Sequence, residues 1–164
     1  MISSRMPWWK GARGEWYVVG QVALFLLVMF GPRNGSTPPE WPHPYVQAGV
    51  FLGAILLLAG FLLVVTGMLK LGKNIAAVPC PREGATLIVS GPYSFVRHPM
   101  YGGAIIMAFG WAFFIQGCLT FLYAVILFLF FDLKARREER WLQDTFCGYE
   151  EYQKRVKKLI PYVY

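Results

Sequence analysis

Charge is scarce in this chain. Asp, Glu, Lys and Arg make up 15% of its 164 residues, against a hydrophobic share of 56%. Soluble domains carry about 25% charged residues, so a water-facing globule does not fit. Cysteine is sparse too, at three. Cys80, Cys118 and Cys147 form no CxxC and no Cys/His spacing, which argues against a disulfide framework and a zinc site, and no metal is expected. A cleavable leader is also missing, because Met1–Gly14 is aromatic and basic and has no apolar core of its own. The net charge of +7 would suggest nucleic acid in a soluble chain. Beside membrane spans, basic residues set topology or touch anionic lipid instead, so the bilayer is the expected partner and nucleic acid is not.

What the chain does have is long apolar runs within a length that allows one compact unit. The reading is an all-α integral membrane protein with four spans. The first is about Trp16–Phe30, preceded by an interfacial Met6–Lys10. Pro32–Tyr45 is a proline-rich extended loop carrying His43. The second span, about Val46–Leu69, bears Gly49, Gly53, Gly60 and Gly67 along one face, a stripe that lets a neighbouring helix come close. Residues 1–69 therefore hold two spans, and 70–98 form a polar connector in which Thr86–Val89 is briefly extended. Residues 99–131 are a helical hairpin of Pro99–Ile115 and Leu119–Phe131, tightly joined at Gln116-Gly117-Cys118. Ala104, Ala108 and Ala112 give the third span a close-packing face. The fourth span is short if read strictly, so it either runs past Asp132 or tilts little. Residues 132–164 read as an amphipathic helix whose stripe of Leu133, Trp141, Leu142 and Phe146 lies along the membrane surface or caps a site there, ended near Gly148, then a second helix over Tyr149–Leu159 stopped by Pro161.

Charge fixes the topology. Arg5, Lys10 and Arg13 precede the first span, Lys70, Lys73, Arg82 and Arg97 lie in the connector, and eight more cations lie in the tail. Only Arg33 falls on the other side. Both termini and the connector are thus expected at the cytoplasmic face, in the inner membrane of a bacterium.

On that face, His98-Pro99 has a geometric meaning. A residue before proline leaves the α region, while proline suits the first helical position. The third span then starts at Pro99, and the N–H groups of Met100, Tyr101 and Gly102 point back at the interface, where they attract an anion. Gly102 and Gly103 leave room for a ligand, and Arg97 adds a permanent charge. Read blandly, Arg97 and His98 are interfacial anchors. Glu138 and Glu139 follow the fourth span by two turns, and adjacent helical positions diverge by roughly 100°, so one at most faces a site. A carboxylate there accepts from a diol or an amine; the alternative is a solvated helix laced with i, i+4 ion pairs.

The segments GPYSFVRHPMYGG, ARREERWLQDTFCGYEEYQKRVKKLIPYV and LGKNIAAVPCPREGATLIVSGPY resemble the isoprenylcysteine carboxyl methyltransferase and phospholipid methyltransferase group of membrane enzymes. The resemblance covers roughly Leu69 to Val163. It implies S-adenosylmethionine as methyl donor, with Ala85, Thr86, Leu87 and Ile88 at the adenine end. Tyr93, His98, Pro99, Met100 and Tyr101 would line the rest of the site, beside Arg97 and Gly102, and Glu138 would be its acidic contact. Lys134 falls where relatives place an arginine near the acceptor. His98 and Glu139 are candidate bases should the acceptor be an amine. The acceptor is lipophilic or small: a prenylcysteine carboxylate, an aminophospholipid or a thiol. A membrane reductase using NADPH and a non-catalytic subunit are the alternatives, and oligomeric state is open.

Overall fold

The computed structural model describes residues 14–34, 42, 44–75, 84–160 and 164. Met6–Lys10, His43, Cys80 and Pro161 lie outside them. Among the described residues there are five α-helices: α1 (Glu15–Phe30), α2 (Tyr45–Leu71), α3 (Pro99–Ile115), α4 (Cys118–Thr145) and α5 (Tyr149–Arg155). Short 3₁₀ turns occupy Gly72–Asn74 and Gly91–Ser94. Among the described residues there is no strand, only an isolated parallel bridge between Val96 and Lys157. Thr86–Val89 is irregular.

Two helices are long and apolar enough to cross a membrane, Tyr45–Asn74 and Cys118–Thr145, while Glu15–Phe30 and Pro99–Ile115 are apolar but shorter. Phe51, Leu58, Phe61 and Leu69 of α2 point outward. An apolar outer surface on this scale suits lipid rather than water.

The glycine stripe of α2 packs on α3. A Cβ on Gly53 would sit 2.7 Å from the Gly110 carbonyl oxygen, and one on Gly60 2.6 Å from that of Gly103. Backbones this close exclude any side chain at the contact. The opposite side of α3, with Ile105 and Ala108, joins Ala124, Leu127 and Phe131 of α4 and Val28 of α1 in one core. Helix α1 packs on α4, not on α2: Gly20 meets Phe130, and Phe25 lies 5.9 Å from Phe131. The lateral order is α2, α3, α4, α1.

The apolar Cys118–Phe131 stretch and the charged Asp132–Thr145 stretch form one unbroken helix of 28 residues, so of the two readings of the fourth span it is the one that runs past Asp132. No glycine or proline falls near Asp132 to break the backbone hydrogen-bonding, and the buried Asp132, Lys134 and Ala135 hold the helix against the bundle. Helix α5 ends at Arg155, short of Leu159. Beyond it the chain runs extended, because the N–H groups of Arg97 and His98 donate to the carbonyls of Lys157 and Lys158. Leu159 then settles into the core.

Candidate functional site

Two sequence signals meet at the polar end of this bundle. Pro99 opens α3 with His98 as its cap at φ −124°, outside the helical region as a residue before proline must be. Opposite it, the polar half of α4 presents Glu138 and Glu139. Tyr101 Oη donates to Glu138 Oε2 at 2.7 Å. Arg97 Nε donates to Glu139 Oε1 at 2.7 Å, and His98 Nε2 lies 3.2 Å from the same oxygen. His98 Nδ1 is 3.8 Å from Glu138 Oε2. The two carboxylates, diverging on the helix, thus take different partners from one short segment.

The interlock reaches α5. Arg97 Nη1 donates to the carbonyls of Gln153 and Val156, covering the exposed acceptors at the C-terminus of α5. Gln153 Nε2 in turn donates to Glu139 Oε2 at 3.1 Å. Burial pushes the Glu139 carboxyl upward, but hydrogen bonds from His98 and Arg97, together with their charges, outweigh it and hold the group at about 2. The His98 ring stacks on Tyr101 with centroids 5.3 Å apart, and Tyr101 stacks on Phe131 at 4.7 Å.

Beside this network lies an open cavity of about 870 Å³, its mouth included. Its walls are Leu71, Asn74 and Ile75 at the end of α2, and Ala85, Thr86, Leu87 and Ile88 from the connector. Tyr93, Arg97, His98, Pro99, Met100 and Tyr101 line it, with Glu138, Leu142 and Phe146 of α4 and Tyr149 and Tyr152 of α5. The connector strip is pinned by Asn74, whose amide nitrogen lies 3.3 Å from Thr86 Oγ1 and whose oxygen accepts from the Thr86 N–H at 3.3 Å. Tyr93 is buried, and burial, followed by the charge of Glu138, raises its hydroxyl to about 12. No group of three or more metal-ligating side chains occurs among the described residues.

The cavity therefore brings together Ala85 to Ile88, Tyr93, Arg97 to Tyr101 and Glu138. Four residues named from the sequence stand apart from its wall. Gly102 does not serve as open space: its N–H already donates to the His98 carbonyl at 3.0 Å, and a Cβ there would lie 3.0 Å from the Leu159 carbonyl oxygen. Gly103 packs on Gly60 in the same manner. Lys134 is buried on the α1 side, where Nζ donates to Gln21 Oε1 at 2.5 Å and lies 5.0 Å from the Tyr101 ring centroid. Glu139 gives both oxygens to Arg97, His98 and Gln153. Sequence reasoning missed Asn74, Tyr149 and Tyr152, while Leu142 and Phe146, read as part of a stripe that lies along the membrane surface or caps a site there, are found at the cavity. The i, i+3 tyrosines after Gly148 were the available signal.

An S-adenosyl donor fits these walls on two structural observations. Glu138 offers a carboxylate to a diol or amine, and Tyr149 buries a hydroxyl that has no partner in the protein.

Comparison with known proteins agrees with this architecture. The chain is 30% identical over 102 residues to the protein-S-isoprenylcysteine O-methyltransferase of Schizosaccharomyces pombe, covering 60% of this chain and 43% of that one. It is 39% identical over 87 residues to a Delta(14)-sterol reductase of Mus musculus, covering 49% and 20%. The solved eukaryotic intramembrane Ras methyltransferase (isoprenylcysteine carboxyl methyltransferase) superposes with a TM-score of 0.65 at 23% identity, over 99% of this chain and 55% of that one. This last likeness is one of fold. The chain thus spans between a fifth and just over half of these relatives' lengths. The phospholipid methyltransferase family matches residues 48–148, well over half the chain and every segment at the cavity except α5. By that match this integral membrane protein belongs to the phospholipid methyltransferase family.

Proposed function

We propose that the protein transfers a methyl group from S-adenosylmethionine to a lipophilic or small acceptor at the cytoplasmic face of the membrane. The observation that carries this reading is a cavity bounded by the Arg97–Tyr101 segment and Glu138, in a chain of this family. The apolar outer surface and the positive-inside count support four spans with both termini cytoplasmic.

When bound, the donor supplies an electrophilic methyl group and a good leaving group. The chain's own part is orientation and exclusion of water. Glu138 takes a donor group of the ligand, its rotamer fixed by Tyr101. The strip from Ala85 to Ile88 closes the outer wall, while Leu142 and Phe146 make the facing wall apolar. The faces of Tyr93 and Tyr101 favour a cationic centre. Glu139 serves as counter-ion to Arg97 and His98 rather than as a base, since a carboxyl held at about 2 takes no proton near neutrality. A carboxylate or thiolate acceptor needs no base at all. Lys134, which falls where some relatives have an arginine near the acceptor, lies against the Tyr101 ring rather than in the cavity wall.

A second reading draws on the sterol reductase likeness and would place a nicotinamide cofactor in the same cavity. Calorimetric titration of the purified protein with S-adenosylhomocysteine, with NADPH as the control, separates the two. Saturable binding of S-adenosylhomocysteine is expected. Binding of NADPH alone would replace the methyltransferase reading with the reductase one.

A further inference from the structure

Tyr149 opens α5 directly after Gly148, whose φ of 89° only glycine adopts freely. The residue lines the cavity yet is 2% exposed, its ring tilted against Tyr152 at 5.8 Å. Tyr152 satisfies its own hydroxyl by donating to the Tyr93 carbonyl at 2.5 Å. The Tyr149 hydroxyl has no partner and is sealed from water. An unmet buried hydroxyl is costly, and solvent cannot relieve it here. Burial, followed by the charge of Glu139, pushes its ionisation above the ordinary range, so the group stays a donor.

Glu138 is its converse in the same wall. Its Oε2 accepts from Tyr101, and among the described residues no hydrogen bond reaches its Oε1. An unmet donor and a half-used acceptor are complementary to one ligand that carries both kinds of group.

We propose that Tyr149 is a ligand-binding residue whose hydroxyl donates to an acceptor oxygen or ring nitrogen of the molecule held in the cavity. Glu138 takes a donor from the same molecule. The assignment rests on the donor-site reading above. Tyr149 is part of the cavity wall, so a turn of its side chain alone brings the hydroxyl to the ligand, while Arg97, Tyr93 and Glu139 hold the seven-residue helix in place.

The test is titration of the full chain in lipid nanodiscs with S-adenosylhomocysteine, comparing wild type with Tyr149→Phe. The variant should bind about three- to ten-fold more weakly, the range of one net hydrogen bond. Its thermal midpoint without ligand should equal or exceed that of wild type, because the unmet group has been removed. Equal affinity in Tyr149→Phe would overturn this contact while leaving the donor site intact. Failure of the wild type to bind would overturn the donor site, and the contact with it. Should Tyr149→Phe not fold, 3-fluorotyrosine placed at position 149 gives a second readout. Its fluorine resonance should move on saturation with S-adenosylhomocysteine, and an unmoved resonance would overturn the proposal.

Discussion

Arg97 Nε and Glu139 Oε1 are 2.7 Å apart across 42 residues of sequence, and each side chain is only 10% exposed. The pair fastens the start of α3 to α4, and Arg97 extends the fastening to α5 through two backbone carbonyls. One guanidinium thus ties three elements around the cavity. Removing a single partner would leave the other charge poorly solvated and unpaired. Glu139→Ala should lower unfolding free energy by about 3 kcal/mol, measured by denaturant titration in mild detergent. A loss below about 1 kcal/mol would mean the pair is solvated like an ordinary surface bridge.

The same carboxylate gives an acid signature. Its value of about 2 in the folded protein lies below the 4.5 of the free side chain. A lowered value means stability that is fully present above about 4.5 and lost as pH falls from there toward 2. Thermal midpoints should therefore fall more steeply through that window in wild type than in Glu139→Gln. Parallel curves would show that Glu139 is not the group responsible.

Glu138 has a different duty. Glu138→Gln keeps the shape and a hydrogen bond to Tyr101 but removes the charge offered to the ligand. Affinity for S-adenosylhomocysteine should drop by about 1.5–3 kcal/mol, the scale for hydrogen bonds to charged groups, with the fold intact. Calorimetry reads the first quantity and circular dichroism the second. An unchanged dissociation constant would remove Glu138 from the site.

The α2–α3 contact admits a graded test. Gly60→Ala puts a methyl group against the Gly103 carbonyl at 2.6 Å, and that backbone cannot give way cheaply. Gly67→Ala meets only side-chain carbons of Met100 and Pro99, at 3.2 Å and beyond. Gly60→Ala should cost about 1–3 kcal/mol and Gly67→Ala clearly less, compared by thermal unfolding in detergent. The reverse order would mean the helices do not meet at these glycines.

Much of this arrangement was legible because strong local rules apply. His98-Pro99 fixes a helix start whatever surrounds it, and glycines spaced seven apart mark a contact face. That the fourth span runs past Asp132 was one of two readings its short apolar stretch allowed, since a change from apolar to charged residues alters the solvent, not the backbone. What sequence left dark was pairing. That Arg97 meets Glu139 rather than a ligand phosphate, and that Gly102 admits the Leu159 carbonyl rather than a ligand, depends on segments that fold back from about forty to sixty residues away. Tyr149 and Tyr152 were hidden for the same reason. Nothing local says that a short helix after Gly148 turns toward a cavity built mostly from the connector and α3.

The lateral order of the helices has a consequence for synthesis. Helix α1 leaves the ribosome ahead of α4, yet the residues it packs on, from Tyr123 to Lys134, come about a hundred positions later. Gln21 must wait in the lipid for Lys134, 113 residues downstream, before its amide oxygen has that partner. Helices α2 and α3 can zip together along their glycines in the meantime. Helix α1 is thus made before both of them and seated after them.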